Sequence, residues 1–164
     1  MCRELAAKRA EDMELKKAER WIAQCVNSSE GLASEAITVT IDKLRQQGHR
    51  VSVCGLVRSS ARPLPELDSV LASHALIHTA EGEMFRDALT RASAHHGFSV
   101  LGVKERDLFE RCTTRLGMAQ QETESRLAEL GRMLGAPWRQ DEKFATVVAW
   151  LALAADAGKG ARKS

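Results

Sequence analysis

The chain has 164 residues, 44% of them hydrophobic, enough for one domain around a single core and too few for two of ordinary size. Lys and Arg number 24 against 22 Asp and Glu, so the net charge of +2 supplies no overall field to gather nucleic acid or a membrane surface. No apolar run approaches the roughly 20 residues of a membrane span, and the charged start Met1-Cys2-Arg3-Glu4 lacks the apolar middle of a signal peptide. A cytoplasmic protein is the expectation. Cys2, Cys25, Cys54 and Cys112 form no Cys-x-x-Cys pair, which argues against a zinc knuckle or a thioredoxin-type centre.

Residues 3–26 predict a helix, since Ala, Glu, Lys, Arg and Leu dominate and neither Gly nor Pro interrupts them. Its apolar stripe is thin at first and dense at Trp21, Ile22, Cys25 and Val26. Asn27-Ser28-Ser29-Glu30-Gly31 reads as a break, so residues 1–30 are expected to form a helical extension offering a surface for a protein partner or a second copy. Residues 34–47 fit two templates. Ile37, Val39 and Ile41 alternate as in a strand, whereas Ala36, Ile37, Ile41 and Leu44 form a helical face between a Ser34 cap and Gly48; the helix is preferred.

Residues 50–57 alternate Val51, Val53, Gly55 and Val57 with Ser52, Cys54 and Leu56 and predict a strand, followed by a Pro-containing loop and a short helix with Leu67, Val70 and Leu71. Phe85, Ala88, Leu89 and Ala92 recur at helical spacing until Gly97, and 98–103 predict a second strand. Helix, glycine, strand and helix in this order predict an α/β fold, a small, mostly parallel sheet flanked by helices, over residues 31–157. Three helices complete it. The last, roughly 141–155, is expected to bury Phe144, Val147, Val148, Leu151 and Leu153, as Leu127, Leu130, Met133 and Leu134 are in the helix before it. Residues 158–164 form a basic tail expected to be disordered.

The densest chemistry lies in Ser73–Asp87. Read as a helix, it places His74, His78 and Glu81 on one face at i, i+4 and i+7, and two histidines with a carboxylate can hold Zn²⁺. A zincin would carry a glutamate after the first histidine, where this chain has Ala75, so the peptidase reading fails. Read as a strand, residues 74–79 run into a turn at Ala80-Glu81-Gly82, and Glu81 projects from the strand end, where open α/β sheets place ligand-binding groups. A carboxylate there can hold Mg²⁺ or Mn²⁺ if others converge on it. Asp141, opening the last helix, and Asp42 are the candidates.

With Leu76–Glu81 as a strand ending in Glu, the helix after it, the strand at 98–103 and an acidic start to the last helix at Asp141, the order of elements over residues 66–155 resembles the ribonuclease H-like superfamily, in its Holliday-junction resolvase branch. The family's Asp-x-x-Asp-Ala at the last helix is here Asp141, then Phe144 and Ala145, so the second acid is lost. The resemblance implies a magnesium-dependent nuclease acting on phosphodiesters, or a degraded relative of one, with metal ions bridged by Asp42, Glu81 and Asp141. It further implies nucleic acid as partner, with Arg86, Arg139 and Lys143 contacting phosphates. Trp138, beside a helix start, can stack on a base or pack over the core. The alternatives are an interaction module using residues 3–26 and a small zinc-binding protein using His74 and His78.

Overall fold

The computed structural model describes residues 15–60 and 62–160. Helices dominate: α1 (Leu15–Gln46), α2 (Leu67–Leu71), α3 (His74–His95), α4 (Leu108–Leu116), α5 (Gln120–Leu134) and α6 (Gln140–Gly160) accompany two strands, β1 (Val53–Arg58) and β2 (Ser99–Lys104). The strands pair in parallel, Val53 opposite Ser99 through Arg58 opposite Lys104, so the class is α/β with a two-stranded sheet. Among the described residues no helix is long and apolar enough to cross a membrane. The chain divides into two units, one containing α1 up to Lys43 and residues 62–92, the other Leu44–Ser60 and everything described from Ser93 onward.

In the first unit α1 runs without interruption through Asn27–Gly31, and the break expected there is absent. One glycine within a helix costs about 1 kcal/mol relative to alanine. Packing on either side of Gly31 outweighs that: Ala33 is buried with Ala88 and Ala92 of α3 against Ile37, and Arg91 hydrogen-bonds to Glu30. Residues 34–47, readable as strand or helix, are helical to Gln46: Thr38 and Thr40 satisfy their hydroxyls on the Ser34 and Ala36 carbonyls at 2.8 and 2.7 Å, and Ile41 is buried. The part of the expected 3–26 helix before Leu15, and Cys2, lie outside the described residues.

Gly31 has open space where a Cβ would stand. Gly31→Ala is therefore expected to raise the unfolding free energy by up to about 1 kcal/mol in urea denaturation. Destabilisation would show that the backbone breaks here after all.

A second correction concerns residues 74–82. The expected strand at 74–79 and turn at Ala80–Gly82 are instead the first turns of α3, which begins at His74 rather than near Met84. Ser73 starts it, its hydroxyl accepting the Leu76 N–H at 3.4 Å and its carbonyl the Ile77 N–H at 2.9 Å. Thr79 returns its hydroxyl to the Ala75 carbonyl. Of this run only Ile77 is buried, and one buried side chain in six matches a helix grazing its neighbours better than a strand inside a sheet.

The second unit is built on one sheet face. The register puts Val53, Gly55 and Val57 of β1 beside Ser99, Leu101 and Val103 of β2, and Val57, Leu101 and Val103 join a core with Leu108, Cys112, Leu127, Val147, Val148 and Leu151. Gly55 lets α6 press on β1, because a Cβ there would stand 2.7 Å from the Val148 carbonyl oxygen. Burial pushes the Cys112 thiol above its ordinary pKa, and a hydrogen bond with Thr123 offsets this only in part, so the group behaves as an inert core side chain.

Three expectations of burial fail here. Leu153 is 55% exposed, Met133 81% and Leu134 68%. Leu151 and Leu153 are separated by about 200° around a helix, so one residue of α6 faces the core and the other faces away. Met133 and Leu134 end α5, past the last turn that reaches the core. Residues 158–160, expected to be part of a disordered basic tail, instead continue α6 to Gly160; residues 161–164 lie outside the described set.

Candidate functional site

Among the described residues, the start of α3 groups the side chains with most chemistry in them. Helical spacing stacks His74 above His78 and puts Glu81 one turn further on. The His74 and His78 Nε2 atoms stand 3.1 Å apart, and His78 Nδ1 is 3.1 Å from Glu81 Oε2. The rings meet edge to face, with centroids 4.4 Å apart and planes at 79°. With both imidazoles neutral, one proton arrangement satisfies both bonds. His78 donates Nδ1–H to Glu81, which leaves a lone pair on its Nε2, and His74 donates Nε2–H to that lone pair.

Exposure grades along this relay. The His78 side chain is 47% exposed and that of Glu81 20%; His74 is exposed. The imidazoles are therefore reached by water while the carboxylate is more sheltered. Two nitrogens bound to one tetrahedral zinc at 2.0–2.1 Å lie about 3.3 Å apart, and at a right-angled pair of positions about 2.9 Å. The observed 3.1 Å falls between these values, so the pair has the spacing of two donors to one cation once His74 carries its proton on Nδ1 and both rings turn their Nε2 lone pairs from each other toward a common point. Glu81 then fixes the ring and tautomer of His78, as carboxylates behind metal-bound histidines commonly do.

Among the described residues no three His, Cys, Asp or Glu side chains are grouped so as to hold a metal ion. The donor set on α3 is thus two imidazoles, with Glu81 holding one of them. Asp42 is exposed on α1. Asp141 is exposed in the first turn of α6, in the other unit. The helix-capping role there belongs to its neighbour: Glu142 accepts the Arg139 N–H at 2.7 Å.

The cations named as phosphate contacts are placed as follows. Arg86 folds back over Gly82, where a Cβ would come within 2.9 Å of its guanidinium, and donates to Glu83 Oε1 at 3.2 Å. Arg139 is exposed just before α6, and Lys143 is half-buried on it. Trp138 packs against the core rather than presenting a face for stacking, with its indole lying over Gly131.

Glu81's role as the group that orients His78 was not assigned from sequence, although the i, i+3 spacing contained it. Comparison with protein-family models, with curated proteins and with solved structures returns no match.

Proposed function

We propose that this protein binds a divalent cation of the zinc type through His74 and His78, with Glu81 as the orienting carboxylate. One observation carries the reading: the two Nε2 atoms are 3.1 Å apart while Nδ1 of His78 is held by Glu81. Imidazole donors suit Zn²⁺, Ni²⁺ and Cu²⁺, and are poor partners for Mg²⁺, which takes oxygen.

Titration calorimetry with Zn²⁺, run in parallel with Mg²⁺, tests it. The unmodified protein is expected to take up Zn²⁺, with uptake weakening as the solution is acidified because the donors must be unprotonated. His78→Ala is expected to abolish binding, and Glu81→Gln to weaken it about tenfold while leaving it measurable, the usual effect of losing a group that orients a ligand. Zinc affinity unchanged in His78→Ala would overturn the assignment.

The magnesium-dependent nuclease implied by the sequence resemblance rested on a strand ending at Glu81; residues 74–82 are helical, so its remaining support is the strand at Ser99–Lys104 and the acidic start of α6. The same variant separates the two readings. If Glu81 were a direct Mg²⁺ ligand, Glu81→Gln would remove Mg²⁺ binding altogether.

A further inference from the structure

We infer that the metal site on α3 is half of a shared site, completed by the same two histidines of a second copy of the chain. The inference rests on the zinc-binding reading above. A structural zinc ion takes four protein ligands in a tetrahedron, and this surface offers two. Glu81 is occupied by His78 Nδ1, and no third donor stands with the pair among the described residues. The remaining two coordination positions therefore point away from the helix into solvent.

Three features make a second copy the fitting occupant. First, a pair of histidines at i and i+4 is self-complementary about a two-fold axis through the metal, and two such pairs supply four Nε2 donors. Second, the helix surface around the pair is low. The positions next to His78 besides His74 and Glu81 are Ala75, which is small and exposed, and Gly82, over which the Arg86 guanidinium lies, so a second helix has its open approach on the Ala75 side. Third, the charges cancel. One Zn²⁺ between four neutral imidazoles is balanced by the two Glu81 carboxylates, one from each copy, whereas a single copy leaves the cation half-compensated.

Sedimentation velocity, with zinc content measured in the same samples, decides the matter. Zinc added at half the molar concentration of the full-length chain is expected to double the sedimenting mass at one zinc per two chains. EDTA should restore the monomer, and His78→Ala should stay monomeric with and without zinc. Because His78 is exposed, that variant keeps its core and its fold can be checked by circular dichroism. Binding of one zinc per chain with no change in mass would overturn the shared site while leaving the zinc reading intact. No zinc uptake at all would remove both. A dimer present without zinc, or formed equally by His78→Ala, would overturn the shared site, because the association would then be independent of the metal.

Discussion

Leu108→Ala is expected to lower the unfolding free energy by about 2–5 kcal/mol, the range for deleting a fully buried leucine side chain. Leu108 opens α4 and is 0% exposed, at the centre of the cluster joining Val103 of β2 to Val147, Val148 and Leu151 of α6. Removing three carbons there takes away burial and leaves a space that strand and helix cannot both close. Domains of this size are stable by about 5–15 kcal/mol in all, so the variant would be marginal. Guanidinium denaturation should show a lower midpoint with an unchanged slope. Leu108→Met, which keeps the volume, should lose less than about 1.5 kcal/mol. Equal losses in the two variants would mean that something other than the cavity is responsible.

Gly55→Ala should be as damaging by the opposite route. A methyl group at this position meets the Val148 carbonyl oxygen at 2.7 Å and its carbon at 2.8 Å. Both are backbone atoms of α6, so no rotamer change relieves the overlap and the helix has to move off the strand. Overpacking of this kind costs about 1–3 kcal/mol, and the upper end is expected here because the three nearest atoms are all main chain of α6. Gly31→Ala is the control: the same substitution, made in open space, is expected to stabilise. The opposite signs would show that space around the Cβ, and not the loss of glycine as such, sets the outcome.

The site on α3 illustrates how a spacing can be visible while its meaning is not. His74, His78 and Glu81 are separated by four and three residues, and anyone assuming a helix would put them on one face. Yet Ile77 and Thr79 favour a strand locally, and Gly82 offers a turn. What tips the balance is the Ser73 cap and the packing of Ala88 and Ala92, two and three turns further along, on Ala33. A helix nucleated at one end and anchored at the other runs through weak formers between them. Glu81 is thereby moved from the end of a strand to the side of a helix, and its neighbour becomes His78.

Where periodicity was strong and unambiguous, it was sufficient. Val53 and Val57, Leu101 and Val103, and Val147, Val148 and Leu151 are legible as strand and helix positions with a buried side, because the alternation of apolar and polar residues is itself the record of which side loses water. The parallel pairing followed from the helix placed between the strands. Tertiary structure decided the rest. The path through Asn27–Gly31 was settled by Ala33 meeting Ala88 and Ala92, contacts distant in sequence that outweigh a local deficit of about 1 kcal/mol. The exposure of Met133, Leu134 and Leu153 was settled by where the neighbouring elements end, since an apolar side chain is buried only if another surface stands opposite it.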